Sequence, residues 1–251
     1  MPQSLEINRS KIFNDFFTKS RGVDIKYLVL HHICDENLNK AIENLKFHKV
    51  SSHYIIDDNG DIFQLVDETY TAYHAGISFW NGELNLNKSS IGIEFFSKDP
   101  EQIGFTQKQM KSGLKLCKNI VQKYQIKPKN IVGNSDIAFN KETGFLNRKG
   151  DPSHLFNWDF LAKNNVGIFP EIEINFEDKI QFQFTDKNPK IVQLKKSLNN
   201  FGYKIDNFDD CFDEEFMNVT IVFNRRFNKN KYLLNNNKWF ISSSKILKAL
   251  S

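Results

Sequence analysis

The sequence lacks the features that define several large classes of proteins. Its three cysteines, Cys34, Cys117 and Cys211, are widely spaced and form no CxxC pair. Neither a disulfide framework nor a thiolate zinc knuckle is therefore indicated. No apolar run approaches the roughly 20 residues of a membrane-spanning helix, so we expect no integral membrane protein. The N-terminus has no apolar core or small-residue cleavage site, and we expect no signal peptide there.

Arginine is also scarce, with 5 Arg against 29 Lys, and the formal net charge is only +4 over 251 residues. Arg is the side chain that reads bases and phosphates with two parallel hydrogen bonds. The excess of Lys comes with 29 Asn, a combination typical of AT-rich codon usage. We therefore expect no nucleic-acid partner. With 40% hydrophobic and 25% charged residues, the chain has the composition of a globular protein.

Histidine is absent from the last 97 residues, because all six His fall between positions 31 and 154. Since domains usually span about 100–200 residues, the length of the chain favours two domains, or one large one. We predict an N-terminal arm at 1–20 and a domain carrying the chemistry at 21–170. A linker at 171–189 and a small helical domain at 190–251 complete the predicted layout.

The region 21–170 alternates strand and helix patterns. Apolar runs rich in β-branched residues predict strands at IKYLVLHH (25–32), SIGIEFF (90–96) and NIVG (130–133). The turn Asp58-Asn59-Gly60 predicts a hairpin between HYIID and IFQLVD. DENLNKAIENLKF has helical spacing, and a capping box at Thr106 begins a helix that should run to about Gln125.

The C-terminal region reads as three amphipathic helices, in IVQLKKSLNNFGY, DEEFMNVTIVFNRRF and WFISSSKILKAL. Gly202 stands where the first of them should end, since Gly is favoured just past a helix C-terminus. In the linker, EIEINFE and IQFQF alternate in character and are candidate edge strands. Three such helices can bury a small core of their own.

Three ionisable residues of the first domain are candidates for chemistry. His31 ends an apolar strand, Glu94 lies inside IGIEFF, and Asp151 follows in a long polar loop. A carboxylate in an apolar strand is costly to bury unless it is paired, hydrogen-bonded or metal-bound. Imidazole with carboxylate is a catalytic zinc ligand set, and a further carboxylate could accept a proton from the attacking water. On spacing alone, a hydrogen-bonded His, a solvent-facing Glu and an Asp-Pro turn are the more frequent explanation of these residues.

Besides these single residues, the region contains seven short motifs in a fixed order along the chain. They are LVLHH, VSSHYIID, QLVDE, YHAGIS followed by Trp, SIGIEF, IVGNSDIA and RKGDP. Together they resemble the type-2 N-acetylmuramoyl-L-alanine amidases, a zinc-dependent family related to peptidoglycan recognition proteins. The C-terminal region points to the AmiD-like branch and resembles a peptidoglycan-binding domain. The resemblance implies an α/β fold with a mixed central β-sheet flanked by helices, followed by a small three-helix domain. It also implies hydrolysis of the amide bond between N-acetylmuramic acid and L-alanine in peptidoglycan or muropeptides.

The resemblance also implies roles for individual residues. It makes His31 and Asp151 ligands of a Zn²⁺ cofactor. Glu94 matches the acidic residue that assists the attacking water, and Lys149 matches the basic residue that stabilises the developing oxyanion. Contact with muramic acid or the stem peptide is implied for His74, Ala75 and Trp80.

One position departs from the family pattern, because Asn134 stands where the family has a second His ligand. An amide is a weak neutral donor that suits calcium better than zinc. The favoured hypothesis is an inactivated His-to-Asn variant, since Glu94, Lys149 and Asp151 are retained. Two alternatives stay open: His154 substitutes as a ligand, or the chain binds muropeptides without cleaving them.

The resemblance further predicts where the protein works. Its partner would be peptidoglycan or a muropeptide, in the cell wall of a bacterium. The two-domain layout favours the periplasm or cell envelope, and cytoplasmic cell-wall recycling is the alternative. We expect a monomer.

Overall fold

A five-stranded mixed β-sheet organises the predicted first domain, residues 21–170. The computed structural model describes the following parts of the chain: residues 5–13, 15–18, 20–172, 178–230, 232 and 237–250. The described strands are β1 (Phe17–Thr18), β2 (Tyr27–Cys34), β3 (Tyr54–Ile56), β4 (Ile62–Gln64), β5 (Thr71–Ala72), β6 (Phe79–Trp80), β7 (Glu83–Leu84), β8 (Ser90–Ser97), β9 (Ile131–Gly133), β10 (Ile180–Phe182) and β11 (Trp239–Phe240). The described helices are α1 (Leu38–Phe47), α2 (Gln107–Tyr124), α3 (Asn134–Ile137), α4 (Trp158–Lys163), α5 (Pro189–Phe201), α6 (Glu214–Phe227) and α7 (Ile241–Leu250).

The central sheet has the strand order β4-β3-β8-β2-β9. Only the β3–β4 pair, at one edge, is antiparallel, and it is the hairpin predicted around Asp58-Asn59-Gly60. The other pairs are parallel. Parallel strands need cover on both faces, which explains why β2 and β8 are almost continuously apolar. The predicted α/β fold with a mixed sheet flanked by helices is confirmed.

Helices cover both faces of this sheet. On one face, Leu28 and Leu30 of β2 pack with apolar residues of α2 and α4. On the other face, Val29 packs with the C-terminal helices α5, α6 and α7, while α1 packs further along the same sheet. Because successive residues of a strand face opposite sides, His31 lies on the face of Val29. The first candidate site residue therefore points towards the side that carries the C-terminal helices.

The helix boundaries follow local signals that the sequence already contains. The side chain of Thr106 accepts a hydrogen bond from the backbone of Gln109, and α2 ends where Gln125 adopts a left-handed conformation. This confirms the predicted helix from Thr106 to about Gln125. In the described part of the chain, no helix combines the length and the apolar character needed to cross a bilayer.

The three predicted C-terminal helices are confirmed, with one change of boundary. The third helix begins at Ile241 because Trp239 and Phe240 pair instead with β10. This pairing confirms IQFQF as a strand, whereas EIEINFE falls largely on residues 173–177, outside the described residues. The C-terminal helices do not enclose a core that is theirs alone, since their apolar residues join those of Val29, Val132 and Ile137.

Trp80 forms the centre of this shared core. Its side chain is fully buried, its ring lies 5.8 Å from that of Phe201 and 5.0 Å from that of Tyr203, and its Nε1 donates to the Lys129 carbonyl at 3.1 Å. Gly202 has φ 143°, and a Cβ at this position would lie 2.6 Å from the indole. The resemblance placed Trp80 at the substrate cleft; the structure instead places it between the first domain and the C-terminal helices.

We expect Trp80→Ala to lower the free energy of unfolding by about 3–5 kcal/mol, because it opens a large cavity in the shared core. Urea denaturation followed by circular dichroism measures this value. The matched control is Phe47→Ala, since Phe47 is 79% exposed and should change stability by less than about 0.5 kcal/mol. Equal stability of Trp80→Ala and the unchanged chain would contradict the buried role of Trp80.

Candidate active site

The candidate residues meet at the carboxyl ends of three neighbouring parallel strands. His31 in β2 and Glu94 in β8 are direct register partners, so their side chains share one face of the sheet. On the other side of β2, Leu30 pairs with Gly133 at the end of β9. Asn134 follows directly and therefore begins α3 beside His31. In open α/β sheets this edge is where ligands bind.

Asp151 closes the cluster from the long loop that precedes α4. Its Oδ2 lies 3.1 Å from His31 Nδ1. Asn134 Nδ2 donates to both carboxylate oxygens of Asp151, at 3.1 and 3.0 Å. Glu94 Oε1 lies 4.0 Å from His31 Nδ1. The structure thus brings together the three predicted ligand positions and the predicted acid–base residue.

A cavity of about 510 Å³ opens above this cluster. This volume lies within the range of about 300–1,000 Å³ that is usual for small-molecule sites. Every site residue predicted from the sequence lines the cavity except Trp80 and His154. Those on its wall are His31, His74, Ala75, Glu94, Asn134, Lys149 and Asp151.

Burial and mutual charge set the protonation of the cluster. Burial raises the pKa of Glu94 to about 7, and the charge of His31 only partly offsets this effect. Burial lowers the pKa of His31, but the carboxylates of Glu94 and Asp151 reverse this and raise it. Burial raises the pKa of Asp151, but hydrogen bonds from His31 and Asn134 outweigh it and lower the pKa. A carboxyl group with a pKa near neutrality is suited to general acid–base chemistry.

His74 orients the imidazole of His31. The Ser90 hydroxyl donates to the Leu86 carbonyl at 2.6 Å, so its oxygen is free to accept from His74 Nε2 at 3.2 Å. His74 Nδ1 then accepts from His31 Nε2 at 3.0 Å. Burial lowers the pKa of His74 well below its usual value, which keeps the ring neutral. His31 is therefore held with Nδ1 directed at the carboxylates.

Several residues that shape the site were not predicted from the sequence. A Cβ at Gly92 would lie 2.5 Å from His74 Cγ, so only glycine in β8 leaves room for that ring. Asn87 Oδ1 accepts from the backbone amides of His74 and Ala75 at 3.1 and 2.8 Å. Arg148 donates to three backbone carbonyls and lines the cavity. Ser90, Gly92 and Arg148 lie within or beside the motifs SIGIEF and RKGDP, which was the available signal.

His154 lies away from the cluster. Its Nδ1 is 3.1 Å from Glu101 Oε2, and its ring lies 5.6 Å from that of Tyr232. His154 is absent from the wall of the cavity. This arrangement does not bring it to the position of a substitute ligand.

The donor set of the cluster does not fit a tightly held zinc ion. Catalytic zinc sites usually supply three strong protein ligands, and here only His31 and Asp151 qualify. Asn134 turns its Nδ2 towards Asp151, and its Oδ1 is buried without a hydrogen-bond partner among the described residues. Within the described ranges, no group of three or more His, Cys, Asp or Glu side chains could hold a metal ion. The missing donor is at position 134.

Comparison with known proteins identifies close sequence relatives. The family model described as N-acetylmuramoyl-L-alanine amidase, Amidase_2, matches residues 21–154. N-acetylmuramoyl-L-alanine amidase AmiD from Escherichia coli is 31% identical over 226 residues, which are 83% of this chain and 76% of that protein. The 1,6-anhydro-N-acetylmuramyl-L-alanine amidase AmpD of the same organism is 33% identical over 110 residues, 44% of this chain and 55% of the relative.

Solved structures extend the similarity beyond the first domain. The complex of E. coli AmiD with anhydro-N-acetylmuramic acid-L-Ala-D-gamma-Glu-L-Lys matches with a TM-score of 0.72 and 30% identity, over 92% of this chain and 91% of that one. AmpDh3 from Pseudomonas aeruginosa matches with a TM-score of 0.69 and 25% identity, over 90% of this chain and 91% of that one. Such coverage requires the C-terminal helices to be included in the shared fold.

We expect Gly92→Ala to lower the free energy of unfolding by about 1–3 kcal/mol, because the added methyl group overlaps the ring of His74. Urea denaturation measures the change. Gly150→Ala is the matched control, since a Cβ there meets no atom within 4 Å and should leave stability unchanged or slightly raised. If both substitutions were equally neutral, the close packing of His74 on β8 would be wrong.

Proposed function

The chain belongs to the Amidase_2 family of N-acetylmuramoyl-L-alanine amidases, and on this premise we propose that its cleft binds the muramoyl-L-alanine amide of peptidoglycan or muropeptides. We further propose that Asn134 leaves this form with weak zinc binding and little turnover. The observation that carries the proposal is the convergence of His31, Asn134 and Asp151, with Glu94 4.0 Å from His31, below one cavity.

The substrate class is supported by the relatives and by the size of the cavity. The E. coli AmiD complex holds an anhydro-muramoyl tripeptide as its substrate. A cavity of about 510 Å³ is large enough for the sugar–alanine junction of such a molecule. We therefore propose a muramoyl peptide as the ligand of this chain.

We propose that two side chains promote amide hydrolysis. Glu94, whose pKa burial raises to about 7, can accept a proton from the attacking water and return it to the leaving amine of L-alanine. Lys149 lies on the cavity wall, where its ammonium group can stabilise the negative charge that develops on the carbonyl oxygen. His31 and Asp151 line the same cavity as these two groups.

Asn134 decides between catalysis and binding. Members of this family are generally zinc-dependent, yet Asn134 adds no strong third ligand to His31 and Asp151. Its amide instead hydrogen-bonds both oxygens of Asp151 and stabilises that carboxylate without a metal ion. This contact favours a second candidate function for the present form, which is to bind muropeptide without cleaving it.

The place of action follows from the substrate class. We propose that the protein acts on the cell wall of a bacterium, in the periplasm or cell envelope, with cytoplasmic recycling of muropeptides as the alternative. We propose a monomer, because one chain contains all of the site residues. The peptidoglycan-binding role of the C-terminal helices remains a prediction.

We expect Asn134→His to bind one zinc ion and to release peptide from anhydro-N-acetylmuramic acid-L-Ala-D-γ-Glu-L-Lys. The gain in release should exceed the roughly 10–100-fold effect typical of residues that only support metal ligands. Metal analysis after dialysis and chromatography of the released peptide measure the two quantities.

The control for this experiment is His154→Asn in the same Asn134→His background. Because His154 pairs with Glu101 outside the cavity, zinc content and release should not change. If Asn134→His neither bound zinc nor released peptide, the enzymatic part of the proposal would be wrong. Calorimetry of the tripeptide ligand with the unchanged chain tests binding separately.

We expect Glu94→Gln, made in the Asn134→His background, to lower kcat by roughly 10²–10⁴ while zinc content stays the same. The amide keeps the shape of the side chain but cannot accept the proton. Glu101→Gln is the matched control, since Glu101 pairs with His154 away from the cavity. Unchanged kcat in Glu94→Gln would remove Glu94 from the mechanism.

A further inference from the structure

Two neighbouring arginines on α6 reach from the C-terminal helices into the loops of the active site. Arg226 Nη1 contacts Asp136 Oδ2, and its Nη2 donates to the Ile131 carbonyl at 2.9 Å. Both charged side chains of this pair are almost fully buried. The same Asp136 Oδ2 accepts from the Gly133 backbone amide at 2.7 Å. Arg226 thereby holds the turn from which Asn134 projects.

Further contacts fix this ion pair in one geometry. Tyr203 Oη donates to Asp136 Oδ1 at 3.3 Å, and the guanidinium of Arg226 lies 4.1 Å from the ring centroid of Trp158. Arg226 thus touches β9, α3 and α4 at once. A buried charge pair of this kind tolerates little displacement, because loss of one partner leaves the other charge unpaired.

Arg225 holds the second loop of the site. Its Nη2 donates to Asn147 Oδ1 at 2.8 Å, and its Nη1 donates to the Lys149 carbonyl at 3.2 Å. Asn147 Nδ2 in turn donates to Asn218 Oδ1, also on α6, at 3.3 Å. The loop held at Asn147 and Lys149 continues directly into Asp151.

The turn at 133–136 and the loop at 147–151 are also joined to each other by a hydrogen bond. The backbone amide of Ser135 donates to the Asp151 carbonyl at 2.6 Å. A displacement of one loop is therefore passed to the other. Loops that carry functional groups are commonly among the least stable parts of a fold, yet the groups must be held to within about 0.5 Å. A helix whose side chains bind both loops, as those of α6 do here, meets this requirement.

We propose that Arg225 and Arg226 are positioning residues, through which the C-terminal helices set the affinity of the cleft for muramoyl peptides. The inference rests on the proposed function and deepens it. Only five arginines occur in the chain, and these two are both buried at the boundary between helices and site. A separable wall-binding domain on a linker would need neither contact.

The experiment replaces Arg225 by Met in the full-length chain, which keeps an unbranched apolar stem and removes the guanidinium with its donors. The matched control is Lys195→Met. Lys195 is a buried cation of the same helical region, but among the described residues it forms ion pairs with Asp209 and Asp213 and none with the site loops. For Arg226 the variant is Arg226→Lys, which keeps the buried charge but cannot contact Asp136 and the Ile131 carbonyl together.

Affinity is measured by calorimetry with anhydro-N-acetylmuramic acid-L-Ala-D-γ-Glu-L-Lys. Arg225→Met should raise the Kd by about 10-fold or more, an effect typical of residues that support a site from outside. Lys195→Met should lower the melting temperature without a comparable change in Kd. If Lys195→Met raised the Kd as much as Arg225→Met, the effect would be general destabilisation and the proposal would be overturned.

Hydrogen exchange of backbone amides supplies a readout that needs no ligand. Arg225→Met should speed exchange at 147–151, and Arg226→Lys should speed it at 133–136, while Lys195→Met leaves both segments unchanged. Unchanged exchange in both arginine variants would overturn the positioning role. If exchange changes as expected but the unchanged chain does not bind the muramoyl peptide, the proposed function fails while the positioning role stands.

Discussion

The burial of charged and polar side chains at the carboxyl edge of an apolar sheet is the constraint that shapes this protein. Glu94 is only 6% exposed, and a carboxylate in such surroundings is costly unless partners compensate it. The charges of His31 and Lys149 supply part of that compensation, whereas the Asp151 carboxylate opposes it and is itself stabilised by hydrogen bonds from His31 and Asn134. The need for such partners explains why β2, the short helix α3 and the loop that carries Asp151 all meet near Glu94.

The hydrogen bonds around His31 show how the site is built to present one nitrogen. Ser90 directs His74, His74 directs His31, and Gly92 leaves the space in which this chain of contacts fits. Into this prepared site Asn134 introduces an amide, which bonds the carboxylate of Asp151 but leaves its own oxygen without a described partner. The fold of the family is thus present, whereas an amide stands at position 134, where the resemblance predicts a second imidazole.

The C-terminal helices belong to the same physical unit as the site. They share an apolar core with β2 and β9 around Trp80, and the arginines of α6 extend this contact to the loops. Because the core and the loops are joined through one interface, stability and ligand affinity are expected to be coupled more strongly than in two domains on a flexible linker.

Much of the fold and part of the site could be read from the sequence, because local patterns determine them: the apolar run of β2, the capping of α2 by Thr106, and the motifs around His31, Glu94 and Asp151. Local patterns could not predict the position of Trp80, the partner of His154 or the contacts between the α6 arginines and the site loops. They depend on residues far apart in the chain, since Arg226 and Asp136 are 90 positions apart. Local periodicity determines which elements form and which residues could react; only tertiary packing decides which buried charges and rings meet, because burial makes each of them dependent on distant partners.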